Sequence, residues 1–346
     1  MSGGSGIGGS GGGSGGGSGG AAAAARGRQR LLWVDALKGL GMIAVVAGHV
    51  WTRGPVRDAI YAVHMPLFFL LSGYTASAVS WRACLPRLAR GLLLPFACFS
   101  VLLLGADFLI EGLRGMRPIF PNWRAGAEAL LFATATLRGP FTIFWFIPCL
   151  FVARLVWSAA TGGGRRPDSP AMLAGVALLV ALALVAPSHG GRSPFGLLAV
   201  PGALLFLWLG ALWRLRMPVE RAWGAKGLVV AAFALATLPW LPPLNMKQGD
   251  LGWPLVSLVG AAAVTMALAL ALHRTPPPAL RPLVAIGRAS LVIMYVHVAF
   301  IHYLAPYAPR AVLFLVALAG AWLLDWLIRR TAPTRLLLRG ETKASY

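Results

Sequence analysis

The sequence predicts an all-α polytopic membrane protein with about ten transmembrane helices and with both termini in the cytoplasm. The chain has 346 residues, of which 58% are hydrophobic and 12% are charged, whereas soluble domains carry about 25% charged residues. The mean hydropathy is +0.73. Apolar runs of about 18 residues or more recur, which is the length that a helix needs to cross about 30 Å of hydrocarbon. These observations exclude a soluble globular protein.

The chain divides into three predicted parts. Residues 1–30 are rich in Gly, Ser and Ala and lack the apolar core of a signal peptide, so we expect a disordered segment there. Residues 31–330 form the membrane domain, and residues 331–346 form a basic cytoplasmic tail. The candidate spans lie at 31–52, 59–79, 87–110, 141–160, 171–187, 195–213, 226–243, 252–272, 283–304 and 309–329. The long connector 111–140 contains a short apolar helix at Ala125–Leu137.

The distribution of cations sets the predicted orientation. The chain has 31 Lys and Arg against 10 Asp and Glu. With the N-terminus inside, the inner loops hold roughly 19 of these cations and the outer loops roughly 9, as the positive-inside rule requires. The charge excess thus reflects membrane topology, and we expect no nucleic-acid partner. The three cysteines show no CxxC spacing, so we predict no metal site.

Ionisable residues inside the spans are candidates for a functional site, because a charge at mid-helix costs about 2.5–3.5 kcal/mol on insertion scales. Cations gather in the inner halves of the spans and imidazoles in the outer halves. The inner set is Lys38, Arg154 and Arg288, with Arg87 and Arg90 at the inner end of the third span, and the outer set is His49, His64 and His297. Asp325 is expected to pair with Arg329, its i+4 neighbour.

The first span carries both kinds of residue on one face. Lys38 and His49 are eleven residues apart, so they share a helix face at an axial separation of about 16 Å. Glycines at 39, 41 and 48 allow close approach of other helices. A cationic inner mouth suits a phosphorylated cytosolic ligand, and a deeper histidine suits proton abstraction from a hydroxyl. Taken singly, each cation is explained equally well by snorkelling to the headgroups, and each histidine by an interhelical hydrogen bond.

Five segments resemble motifs of the acyltransferase 3 family of integral-membrane acyltransferases. They occur in the family's order and together cover roughly residues 31–330. The family opens on an Arg, ten intervening residues and a His, where this chain has Lys38 and His49. The other four are His64–Tyr74 (HMPLFFLLSGY), Arg87–Arg90 (RLAR), Phe144–Phe151 (FWFIPCLF) and Gly287–His297 (GRASLVIMYVH). The HMPLFF and WFIPCLF forms resemble the fucose 4-O-acetylase-like branch.

The resemblance implies transfer of an acyl group, usually acetyl from cytosolic acetyl-CoA, to a hydroxyl of a cell-envelope or exported carbohydrate. It makes His49 the catalytic histidine, as a general base or as a transient acyl-histidine, and it places Lys38, Arg87 and Arg90 on the charged groups of the acyl-CoA. The remaining expected site residues are Asp35, paired with Lys38 or orienting a neighbour; His64, orienting the acceptor or sharing proton transfer; His297 with Tyr295, completing the outer pocket; and Arg154, a further donor contact.

The same resemblance, with the Arg- and Ala-rich composition, predicts a multi-pass protein of a bacterial inner membrane that modifies polysaccharide. Two alternatives stay open. One is a proton-coupled secondary transporter for a small anionic or sugar-like solute, although we detect no inverted repeat between the halves. The other is a membrane scaffold, which would require the charged residues to tolerate replacement.

Overall fold

The computed structural model describes residues 17–185, 192–219 and 224–342, and no β-strand is present within those ranges. The helices in chain order are α1 (Gly17–Val50), α2 (Pro55–Tyr74), α3 (Trp81–Leu88), α4 (Leu94–Leu113), α5 (Trp123–Phe132), α6 (Phe146–Thr161), α7 (Pro170–Val185), α8 (Val200–Arg216), α9 (Gly224–Ala236), α10 (Pro254–Arg274), α11 (Pro277–Arg288), α12 (Ser290–Leu304), α13 (Arg310–Ile328) and α14 (Ala332–Arg339). A π-helical turn at Ala89–Leu93 joins α3 to α4. The all-α prediction is confirmed for the described ranges.

Length and hydropathy mark six helices of the described chain as able to cross a membrane. They are Leu32–Val50, Trp81–Leu113, Gly139–Thr161, Pro194–Arg216, Pro254–Arg274 and Arg310–Ile328, and the bent pair α11 and α12 makes a seventh if it is one span. The chain is therefore a multi-pass membrane protein. The other predicted spans coincide with α2 and with the shorter helices α7 and α9. That these three also cross, and that both termini are cytoplasmic, stay predictions.

The predicted span 283–304 is broken in the structure. Helices α11 and α12 meet at 68° across Ala289. The break leaves carbonyl groups at the end of α11 without hydrogen-bond donors from the helix itself. Two guanidinium groups of the C-terminal region supply donors instead: the carbonyl of Arg288 accepts hydrogen bonds from Arg329 (3.0 Å) and Arg339 (3.2 Å). The sequence prediction missed the break because these partners lie about forty residues or more away along the chain.

The two ends of the chain differ in what the structure describes. Residues 1–16 of the predicted disordered segment lie outside the described residues. Helix α1 begins at Gly17, and the five alanines at 21–25 favour a helix in this region. At the other end, the predicted basic tail contains α14. The predicted pair of Asp325 with Arg329 is confirmed at 2.7 Å, and Arg339 of α14 contacts the same carboxylate. This ion pair fixes α14 against the bundle.

Two helix crossings bring backbone directly against backbone. A Cβ added to Gly39 of α1 would lie 2.0 Å from the carbonyl oxygen of Leu283, and one added to Gly287 of α11 would lie 1.8 Å from that of Asp35. Helices α2 and α8 cross in the same way through Gly73 and Gly210, whose added Cβ atoms would lie 1.9 and 2.0 Å from carbonyl oxygens. Small residues permit such close packing of membrane helices. The predicted close approach at Gly39 is therefore confirmed.

Replacing Gly287 with alanine should destabilise the protein by about 3 kcal/mol, because the new methyl group overlaps backbone atoms that no rotamer change can move. Thermal unfolding of the detergent-purified protein measures the effect. Gly112→Ala is the matched control, since an added Cβ there has no neighbour within 4 Å. Equal unfolding temperatures for the two variants would contradict the proposed crossing.

Candidate functional site

A cavity of about 190 Å³ lies at the Val50 end of α1. We call it the histidine cavity. Helices α1, α2 and α12 and two connecting segments form its wall, which consists of Val45, His49, Tyr61, His64, Met65, Thr142, Ile143, Trp145, Leu244, Asn245, Met246, Lys247, Gln248 and Met294. The structure thus brings His49 and His64 into one cavity, although they come from different helices.

Hydrogen bonds fix the orientation of two imidazoles near this cavity. The Nδ1 atom of His64 lies 2.8 Å from the carbonyl oxygen of Ile60, and the Nδ1 atom of His297 lies 2.7 Å from that of Ile293. A carbonyl oxygen only accepts, so each Nδ1 carries the hydrogen and each Nε2 is left as an acceptor. His49 makes no hydrogen bond with a described residue, so neither of its nitrogens is committed in this way.

His297 and Tyr61 surround the His49 ring. The ring centroid of His297 is 5.2 Å from that of His49, but His297 is fully buried and lies behind His49 rather than in the cavity wall. Tyr61 does line the cavity, with its ring 4.8 Å from that of His64 and 6.4 Å from that of His49. Arg57 stacks on the Tyr61 ring at 3.8 Å. The imidazole of His49 therefore lies next to a second imidazole and near a phenol ring.

A second cavity, of about 310 Å³, lies towards the other end of α1. We call it the cationic cavity, because Lys38 and Arg154 both line it. The other wall residues are Phe68, Leu71, Ser72, Thr75, Leu92, Phe146, Ile147, Leu150, Ser290, Leu291 and Met294. The predicted Lys38–His49 face of α1 therefore reaches one cavity at each end. Met294 of α12 lines both cavities and is a wall residue that they share.

The two cations of the second cavity differ in how they are neutralised. Lys38 lies 3.3 Å from Asp35, which is also 3.5 Å from Arg288. Arg154 instead donates to the hydroxyl of Ser72 at 3.0 Å and to the Ser72 carbonyl at 3.2 Å, and it has no ion pair with a described carboxylate. Arg154 is therefore the cation of this cavity without a carboxylate partner among the described residues, whereas Lys38 and Arg288 share the single negative charge of Asp35.

The start of α12 adds a further anion-binding element. Ser290 and Leu291 form its first turn and line the cationic cavity, and no side chain caps this helix end. The free N–H groups and the dipole of a helix N-terminus favour a negative charge. The bend between α11 and α12 thus directs a helix N-terminus at the same cavity as Arg154.

Five residues with expected site roles line neither cavity: Asp35 and His297, described above, and Arg87, Arg90 and Tyr295. Arg87 of α3 and Arg90 of the π-helical turn are exposed, and only Leu92 of that turn reaches the cationic cavity. Tyr295 is buried between Phe99, on which it stacks at 4.5 Å, and Phe144 at 5.2 Å. Tyr295 and His297 are two residues apart, so their side chains point about 200° apart around the helix axis. The structure therefore does not place Tyr295 in the expected outer pocket.

Sequence reasoning missed several residues of the site, among them Tyr61, Trp145, Lys247 and Met294. Tyr61 precedes His64 by three residues on the same helix face, which was a readable signal. Trp145 and Met294 lie in segments that resemble family motifs, but neither side chain is charged, so neither is an ionisable candidate. Lys247 sits in the short 3₁₀ turn Met246–Gln248, and only the tertiary structure brings this loop over His49.

One cluster of metal-ligand type occurs in the described chain, at Asp107, Glu111 and His302, whose ligand atoms lie within 4.8 Å of one another. Its carboxylates already have protein partners. Asp107 accepts from the backbone N–H of Ile119 at 2.7 Å and from the Tyr303 hydroxyl at 2.8 Å, and Glu111 pairs with Arg114 at 2.8 Å. These contacts tie the connector after α4 to α12, which gives the buried carboxylates a structural role.

Residues 31–328 match a family model described as an acyltransferase domain. Since the match covers more than half of the chain, it defines this multi-pass helical protein as a membrane acyltransferase. The chain belongs to the acyltransferase 3 family, which confirms the family resemblance. No curated protein and no solved structure gives a significant match.

Proposed function

We propose that the protein transfers an acetyl group from cytosolic acetyl-CoA to a hydroxyl of a cell-envelope or exported carbohydrate. The observation that carries this proposal is the pair of cavities that share Met294 as a wall residue. One is cationic, as a phosphate-bearing donor requires, and the other contains imidazoles, as activation of a hydroxyl requires. The predicted orientation puts the cationic cavity on the cytoplasmic side, where acetyl-CoA is made.

His49 is the proposed general base. It takes the proton of the acceptor hydroxyl as the oxygen attacks the thioester carbonyl carbon. The carbon–sulfur bond then breaks, and the proton passes from His49 to the leaving thiolate to give coenzyme A and the O-acetyl ester. His297 acts as a positioning residue, since its uncommitted Nε2 can accept a hydrogen bond from a ring N–H of His49 after a small rotation. His64 lines the same cavity and shares the handling of the acceptor proton.

The donor is proposed to bind through Arg154 and the first turn of α12, with Lys38 and Asp35 as an ion pair at the cavity edge. Arg87 and Arg90 lie outside the cavity wall, so their proposed role is to attract the exposed phosphates of the nucleotide portion. The acetyl end must cover about 16 Å along α1 from Lys38 to His49. An extended pantetheine chain has a length of that order, and Met294 must move aside for it.

The sugar acceptor is supported by the wall of the histidine cavity and by the sequence forms shared with the fucose 4-O-acetylase-like branch. Tyr61 and Trp145 supply aromatic faces, and the backbone and amide groups of the 244–248 loop supply hydrogen-bonding partners. A bacterial inner membrane, with the acceptor on the outer side, fits the same arrangement.

Release of coenzyme A from acetyl-CoA, measured with purified protein and a mixed bacterial glycan extract, tests the proposal. We expect release that depends on the glycan and labelled acetyl that becomes bound to it. A transporter changes neither molecule covalently. Saturable acetyl-CoA binding lost in Arg154→Met would support the donor site, whereas the absence of both turnover and acetyl-CoA binding would overturn the proposed reaction.

A further inference from the structure

Lys247 is a cation inside the histidine cavity that the proposed transfer reaction does not use. It belongs to the 3₁₀ turn Met246–Gln248 between α9 and α10, and it lines the same cavity as His49 and His64. Its ammonium group donates to the carbonyl oxygen of Leu137 and lies 3.4 Å from the hydroxyl of Thr142. An ammonium group has three donors, so at least one N–H is available to a ligand.

The charge of Lys247 is not balanced by protein. The cavity wall contains no carboxylate, and Lys247 has no ion pair with any described Asp or Glu. Asp250, three residues further on, is engaged by the backbone N–H of Gly252 at 2.7 Å. Partial burial without a counter-ion disfavours an ammonium group. The hydrogen bond to the carbonyl oxygen of Leu137 anchors the loop, but a neutral donor would anchor it equally well. Anchoring therefore does not explain why this side chain is charged.

The rest of the wall suits a sugar ring. Tyr61 and Trp145 present aromatic surface, Asn245 and Gln248 present amides, and His49 and His64 face the same space. A hydroxyl placed at His49 and an anionic substituent placed at Lys247 would thus belong to one bound molecule. The cavity volume of about 190 Å³ lies below the roughly 300–1,000 Å³ of pockets for drug-sized ligands, which limits the bound group to a small unit.

We propose that the histidine cavity is an acceptor subsite for an acidic sugar, and that Lys247 selects it by binding a carboxylate or phosphate group on the unit that receives the acyl group. This inference rests on the proposed function for its assignment of acceptor and donor sides. Both anionic groups offer the oxygen acceptors that an ammonium donor requires, and a neutral sugar leaves the buried charge unpaired.

The subsite gives a pH dependence with a defined sign. Burial lowers the pKa of Lys247 to about 8, so the unliganded ammonium loses its proton as the pH rises through that value. Binding of an anionic sugar should therefore weaken above pH 8, while binding of a neutral sugar should not. His49, His64 and Tyr61 face the same cavity, and Arg57 stacks on the outside of Tyr61. Lys247→Arg removes this dependence if Lys247 is its source, because arginine stays charged.

The test uses titration calorimetry on the purified full chain in detergent, with methyl β-glucuronide, glucose 6-phosphate and neutral methyl β-glucoside as ligands. We expect at least one anionic sugar to bind about tenfold or more tightly than the glucoside at pH 7, as a charge-assisted hydrogen bond provides. Lys247→Met should remove this preference and Lys247→Arg should keep it. Arg310→Met, an exposed cation outside the cavity, is the matched control and should change nothing.

Several results would overturn the subsite: equal affinity for charged and neutral sugars, no measurable binding of either anion, or a preference that survives in Lys247→Met. If Lys247→Met does not fold, the pH dependence decides the question. The subsite predicts that the wild-type protein loses its preference for anionic sugars above pH 8 and that Lys247→Arg keeps it. The glucuronide and the sugar phosphate distinguish the two anionic groups. A preference for anionic sugars without acetyl-CoA turnover would support the subsite and reject the transfer reaction. Turnover with neutral sugars alone would support the transfer reaction and reject the subsite.

Discussion

His49→Ala should lower kcat for acetyl transfer by about a thousandfold while the protein still folds and binds acetyl-CoA. A positioned general base contributes about 10²- to 10⁴-fold to a reaction of this kind, and His49 is the cavity imidazole with no hydrogen bond that ties up either nitrogen. The side chain is half-buried, and the backbone crossing of α1 lies at Gly39, ten residues away, so removal of the imidazole leaves that crossing intact. The rate of coenzyme A release at saturating donor and glycan measures the loss.

His273→Ala is the matched control, because His273 lies at the end of α10 and lines neither cavity. It should retain full activity. Undiminished turnover in His49→Ala would reject His49 as the base. The kinetics of the wild-type protein separate the two chemical routes: an acyl-histidine predicts a burst of coenzyme A release without any acceptor and ping-pong kinetics, whereas direct attack predicts neither.

Arg154→Met should raise the KM for acetyl-CoA by about thirtyfold with little change in kcat. Arg154 is a cation of the cationic cavity without a carboxylate partner, and a hydrogen bond between charged groups contributes about 1.5–3 kcal/mol. The loss should fall on binding because Arg154 and His49 line different cavities, so the reacting atoms do not change their surroundings. Initial rates over a range of acetyl-CoA concentrations measure both constants.

Arg281→Met controls for the general loss of a cation, since Arg281 is exposed on α11 and lines neither cavity. Its KM should stay close to the wild-type value. Arg154→Lys should fall between wild type and Arg154→Met, because lysine keeps the charge but loses the fork of donors that also holds Ser72. A fall in kcat at unchanged KM in Arg154→Met would contradict the donor assignment and place Arg154 in the chemical step.

Much of the fold, and the alignment of Lys38 with His49 along α1, could be predicted from local sequence. Long apolar runs give the helices, and helical periodicity puts Lys38 and His49 on one face, which the structure shows reaching both cavities. The ion pairs of Asp35 with Lys38 and of Asp325 with Arg329 lie within one turn and follow from spacing alone. These features depend on residues within one helix.

The features that could not be predicted depend on contacts between distant segments. Lys247 reaches the cavity because its loop contacts Leu137, more than a hundred residues earlier. Tyr295 lies near His297 in sequence but faces the opposite side of α12, a direction that no charge pattern indicated. The break at Ala289 is stabilised by Arg329, which directly follows α13, and by Arg339 of α14. Periodicity carries no information on any of these pairings.

The glycine crossings have a consequence for how the enzyme moves during turnover. Helices that touch through backbone atoms have no layer of side chains between them that could be compressed or re-ordered, so α1 with α11 and α2 with α8 should behave as two stiff units. Opening a passage for the acyl group then falls to the parts with rotational freedom, namely the unbranched thioether of Met294 and the loop that carries Lys247. Under the proposed transfer, gating by a swivelling side chain, rather than by helices sliding apart, would admit the acyl group while excluding water and ions.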